Sequence, residues 1–144
     1  MLRAVLDPNV FASAMLQPRG PSGQVLTRFL ADASFEVVIT PAIVEEVMQV
    51  LTYPKLRKRL RGGVSPDLWF EDVLALTHIV DDHTPPDVAK NPGDGKYLAA
   101  AKEGLASFVV TDEPGFLALH EFDRIRIVTP EVFLETLGAG GANV

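Results

Sequence analysis

Acidic side chains stand at four separated places in the chain where folding would turn them towards one edge. Asp7 directly follows the apolar run 2–6, and the pair Asp112-Glu113 directly follows the apolar run 107–111. Glu46 and Asp94 lie in two segments whose apolar residues recur at helical spacing. Several carboxylates sharing one pocket repel and raise one another's pKa unless a cation neutralises them. All-oxygen ligation suits Mg2+ or Mn2+ rather than zinc. Other chemistries find little footing. The chain has no cysteine, which excludes disulfides, thiolate metal sites and cysteine nucleophiles. His78, His83 and His120 show neither metal-ligand spacing nor an adjacent nucleophile, and read as surface or loop residues. Gly93-Asp94-Gly95-Lys96 matches only part of a phosphate loop, because Tyr97 replaces the required Ser or Thr and the upstream glycine is missing. No dinucleotide fingerprint follows residues 2–6.

The elements that would position these acids can be read locally. Residues 2–6 form a short buried strand, and Pro8 disfavours the helical region for Asp7 while starting the next helix. Asp7 is thereby held at the carboxyl end of a strand, the edge where open α/β sheets bind ligands. Thr40-Pro41 opens a helix whose stripe is Ile43, Val44, Val47, Val50 and Leu51. Glu46 borders that stripe and Glu45 points towards water. Asp94, Leu98 and Ala101 share a face at i, i+4, i+7, so Asp94 leans inward with the two core residues. A plainer reading exists for Asp94 and the Asp112-Glu113 pair, since a carboxylate beside a helix start commonly serves as a cap or dipole partner, whereas Asp7, which ends the first buried strand, is the exception. Glu46 taken alone reads as a boundary residue in a surface ion pair.

Along the chain, strands are predicted at 2–6, 35–39, 78–80, 107–111 and 126–128. Helices are predicted at 9–16, 21–33, 40–52, 66–76, 94–103, 114–120 and 130–137. A proline-rich loop covers 81–93. The alternation implies a three-layer α/β/α sandwich with a largely parallel central sheet, one domain over residues 1–137 and a flexible tail at 138–144. With 144 residues and ordinary apolar and charged fractions, a single core suffices. No apolar stretch is long enough to span a bilayer and no signal-peptide pattern opens the chain, which suggests a cytoplasmic protein. The net charge of −6 opposes general nucleic-acid affinity. A metal site concentrates carboxylates, however, and bound cations reverse the local field. Lys55, Arg57, Lys58, Arg59 and Arg61 crowd into residues 54–61, either as a phosphate-contacting patch for RNA or as a solvated helix face.

Beyond these local readings, the chain carries a family likeness in two halves. The first half of the likeness lies in Leu6-Asp7-Pro8-Asn9-Val10, Thr40-Pro41 leading to Glu46-Val47 and Val50-Leu51, and Pro54-Lys55-Leu56. The second lies in Asp94 with Tyr97-Leu98-Ala99-Ala100-Ala101, Val109-Val110-Thr111, Phe116-Leu117-Ala118-Leu119 and Ile127-Val128-Thr129-Pro130-Glu131-Val132-Phe133-Leu134. In order and spacing over residues 2–137 these motifs resemble the PIN-domain family, and within it are most similar to toxin components of toxin–antitoxin pairs (VapC-like). The resemblance implies a Mg2+- or Mn2+-dependent ribonuclease with Asp7, Glu46 and Asp94 at its acidic positions and Asn9 and Thr111 orienting the site by hydrogen bonds. A metal-activated water would attack a phosphodiester in line. It also implies an RNA substrate, an antitoxin partner and a homodimer. The chain departs from the family pattern at Pro8, where threonine is usual, and at Asn91-Pro92-Gly93-Asp94, where the acidic run is reduced. After Thr111, Glu113 takes the expected acidic place in register, Asp112 would need a small backbone shift, and Gly115 supplies no acid. These departures motivate an alternative, a catalytically weakened PIN-like module that binds protein or RNA. A third reading, an acidic-pocket phosphatase, would make Asp7 a nucleophile.

Overall fold

The computed structural model describes residues 1–60, 62–83 and 92–141. Arg61, Asn91, most of the proline-rich loop and the last residues of the tail lie outside the described residues. Six strands form one sheet: β1 (Arg3–Leu6), β2 (Glu36–Ile39), β3 (His78–Ile79), β4 (Phe108–Val110), β5 (Glu121–Phe122) and β6 (Ile125–Val128). Their spatial order is β3-β2-β1-β4-β6-β5. Every pairing is parallel except that of β5 with β6. Ala4, Val5, Leu6, Val37, Val38, Ile39 and all of β4 are buried. Such unbroken burial is characteristic of parallel strands covered on both faces.

The helices are α1 (Pro8–Leu16), α2 (Pro21–Leu30), α3 (Pro41–Leu51), α4 (Pro54–Arg59), α5 (Pro66–Leu74), α6 (Gly95–Glu103), α7 (Pro114–Leu117) and α8 (Pro130–Gly141). All but α6 open on proline, whose missing N–H is no loss there and whose fixed φ suits the first turn. Thr40 and Ser65 cap α3 and α5 by accepting from the N–H groups of Ile43 and Leu68. Connections from β1 run one way to β2 and β3, and the chain then returns past β1 to β4. Right-handed crossovers therefore send their helices to opposite faces. α6 packs on β1, β2, β4 and β6, while α1 packs on α2 and α3, and α2 on α8. Phe133 of α8 closes the core against Phe35 and Phe108, with ring centroids 4.9 and 5.5 Å away.

Four differences from the sequence reading have local causes. The basic segment is helical as α4, because Pro54 sets its first turn and buried Leu56 anchors it. α2 stops at Leu30, where the Ser34 N–H reaches back to the Arg28 carbonyl (3.0 Å) around Ala33 at φ 49°. α8 runs past the predicted stop at residue 137 to Gly141, since Phe133 and Leu137 both dock into the core. β5 is unpredicted: Asp123 and Arg124, at φ 49° and 68°, make the tight turn that folds it back on β6.

Candidate active site

The direction of chain connection reverses between β1 and β4, which makes their carboxyl ends the natural crevice of this sheet. Leu6 is paired with Val110, and the Asp7 N–H donates to the Val110 carbonyl at 2.9 Å. Asp7 and Thr111 are therefore level as the two strands end, and both are buried. Asp7 Oδ1 accepts from the Asn9 N–H (3.0 Å) and Oδ2 accepts from Thr111 Oγ1 (2.7 Å). The one Thr111 hydroxyl proton is committed to Asp7, so its oxygen is left to accept the Glu113 N–H at 3.1 Å. Asp7 is thus the N-cap of α1 as well as a strand-end acid. Asn9 reaches it through the backbone, its own side chain being exposed.

Three further carboxylates act on the same space. Burial holds Asp7 above the usual carboxylate range, the Asn9 and Thr111 bonds pull it down, and the charges of Glu46 and Glu113 push it up again. Burial likewise raises Asp94, with Glu113, Asp7 and Glu46 adding to the rise and Lys96 opposing it. Four elements far apart in sequence thus place Asp7, Glu46, Asp94 and Glu113 in one electrostatic unit. Asp94 precedes α6 yet makes no side-chain cap bond, although it is only 8% exposed. Glu113 precedes α7 and makes none either. Capping does not account for these two acids, whereas it accounts for part of Asp7.

Glu46 is engaged at both oxygens: Lys96 Nζ donates to Oε2 and the Tyr97 hydroxyl donates to Oε1. Glu45, beside it, is exposed. Burial and the Glu46 bond push the Tyr97 phenol far above its ordinary value, which keeps it a donor. The Tyr97 ring is buried and stacked 6.0 Å from that of Phe116. Sequence reasoning passed over Lys96 and Tyr97 as fragments of a failed phosphate loop. Tyr97 lies three residues after Asp94, a spacing that puts both on one helix face, and that signal was available.

Among the described residues no three His, Asp or Glu side chains stand as a ready metal cage. Mg2+ does not require one, because it keeps several waters and is commonly held by one or two carboxylates. Asp7 and Asp94 supply hard oxygen donors, and the carboxylate repulsion that helps to raise each is what a cation would relieve. The donor set therefore fits a hard divalent ion.

Asp112 is exposed and lines a separate cavity of about 100 Å3 with Ser13, Ser22 and Glu131. Between the two adjacent acids, Glu113 is the one acting on Asp7 and Asp94. Lys55, Arg57, Lys58 and Arg59 are exposed on α4, where Arg57 pairs with Asp67 at 3.5 Å. Lys55 and Arg59 border an apolar groove with Leu16, Val50 and Tyr53. The cation that acts on Asp94 is Lys96, not a member of this stretch. His78 pairs with Glu36 and His83 with Glu103, apart from the acidic edge.

A family model described as PIN domain matches residues 3–113, a span that contains all four interacting carboxylates. The chain belongs to the PIN-domain family. PIN domains are in general nucleases that use divalent metal ions. Among curated proteins, this PIN domain is similar to an uncharacterized protein designated MJ1680, from Methanocaldococcus jannaschii. The two are 26% identical over 146 residues, covering 93% of this chain and 90% of the relative. Among solved structures it is similar to that of PAE2754 from Pyrobaculum aerophilum, with a TM-score of 0.60 and 14% identity. That match covers 96% of this chain and 90% of the other, and it bears on the fold alone. Among the described residues no helix is long and apolar enough to cross a membrane.

Proposed function

We propose that this PIN domain is a Mg2+- or Mn2+-dependent endoribonuclease, acting as the toxin of a toxin–antitoxin pair. The observation that carries the catalytic part is that Asp7 and Asp94, both buried at the sheet's switch point, are raised by burial and by the charges of Glu46 and Glu113, carried in from other elements. Asp7 and Asp94 would hold the metal, with the Glu113 charge acting on both. When bound, the ion supplies Lewis acidity that activates water and stabilises charge on the leaving oxygen. Thr111 and the Asn9 N–H fix the direction of the Asp7 carboxylate, and Glu46 orients the hydrogen-bonding groups around the attacked phosphate. No side-chain nucleophile is needed. The RNA preference, an antitoxin partner and a homodimer follow from the family resemblance, and the exposed basic face of α4 is assigned to RNA phosphates.

The test is cleavage of labelled RNA and of DNA of the same sequence, with Mn2+, with Mg2+ and with EDTA. RNA should be cut with either metal and spared in EDTA, and Asp7→Asn should remove the activity. Undiminished metal-dependent cleavage by Asp7→Asn overturns the proposed anchor. RNA binding with no cleavage under any metal condition replaces the nuclease with a binding module.

A further inference from the structure

The four acids of this edge are not equivalent. Glu46 already has a cation, because Lys96 Nζ meets one of its oxygens and the Tyr97 hydroxyl meets the other. Tyr97 is held in that position by burial and by its stacking on Phe116. Lys96 lies two residues from Asp94 in the first turn of α6, so its stem is anchored beside the acidic group rather than on a mobile loop. Asp94 and Glu113 have no cap bond to employ their carboxylates. Two-metal nucleases need carboxylates to hold a second ion about 3.5–4 Å from the first. Here Glu46 is closed at both oxygens.

We propose that Lys96 and Tyr97 hold Glu46 outside the metal shell, so that the site takes one divalent ion, on Asp7 and Asp94. This rests on the nuclease reading above, which concerns whether a metal binds at all. Lys96 and Tyr97 are positioning residues, acting through Glu46.

Mn2+ binding, measured by titration calorimetry and by the EPR signal of free Mn2+, separates the two. A single Glu46 substitution would strand the Lys96 charge beside the ion, so the informative variant is the charge-neutral double E46Q/K96M, with E46Q/K96Q as a second version should the first fold poorly. Wild type should bind one Mn2+ per chain. The double variants should bind within about threefold of wild type, and Asp94→Asn should bind at least about tenfold more weakly, the scale of losing a group that supports a metal. Lys96→Met, which frees Glu46, should tighten binding or admit a second ion, a gain that loss of structure cannot produce. Two ions per wild-type chain, or doubles as weak as Asp94→Asn, overturn the inference and leave the nuclease intact. Absence of Mn2+ binding by wild type overturns both.

Discussion

At the scale of single residues, the acidic edge trades stability for charge. Asp7 and Asp94 titrate above the ordinary carboxylate value of 3.8. Between that value and their own, the folded chain binds more protons than the unfolded chain, so stability falls as pH rises through the window. Above it the ionised pair remains a cost at neutral pH. Asp94→Asn should therefore raise the melting temperature of the metal-free protein at pH 7, read by calorimetry in EDTA. Added Mg2+ should raise that of wild type and not of the variant, because a ligand stabilises only the fold that binds it. Metal affinity should weaken as pH falls towards the raised pKa values, where protons compete for the same oxygens. Thr111 offers a second check. Thr111→Val leaves a buried Asp7 oxygen without its donor and should cost about 1–3 kcal/mol in denaturant unfolding, with Thr111→Ser recovering most of it.

At the scale of elements, what could be read from the sequence depended on whether the signal was local. The proline-led helix starts and the apolar runs of β1, β2 and β4 were legible because each sets its own backbone. Glu46 was separable from Glu45 because helical periodicity alone orients it, and Asp94 was legible through its spacing to Leu98 and Ala101. The β5–β6 hairpin was not legible. Its turn places Asp123 and Arg124 at positive φ, where the usual signature would be Asn-Gly or Asp-Gly. Arg124→Gly supplies the missing residue and should stabilise the fold by about 1 kcal/mol, the scale of left-handed strain in a side-chain-bearing residue. Chemical denaturation would register it, and an unchanged or lowered midpoint contradicts the turn. The Lys96–Glu46 and Tyr97–Glu46 contacts were also hidden, since they join α6 to α3 across separations of 50 and 51 positions and no spacing rule reaches that far. That Glu113 rather than Asp112 acts on Asp7 and Asp94 depends on the turn after β4, in which the Thr111 hydroxyl accepts the Glu113 N–H.

At the scale of the whole molecule, the core is shared between segments inside and outside the matched family span. Phe133, in α8, is fully buried between Phe35 and Phe108, although the family model ends at residue 113. Phe133→Ala should cost about 3–5 kcal/mol. Against the roughly 5–15 kcal/mol by which domains are stable, that is enough to leave part of the population unfolded at 37 °C, as circular dichroism would show. Wild-type-like melting would mean that α8 contributes little to the core.

The crossing of the chain back past β1 carries a temporal consequence. Asp7 leaves the ribosome well before its hydroxyl partner Thr111 and the acid at Glu113, which come more than a hundred positions later, with the aromatic plug in α8 later still. No nascent fragment holds the complete set. Synthesis itself therefore withholds the assembled acidic edge until the segment through Glu113 has emerged.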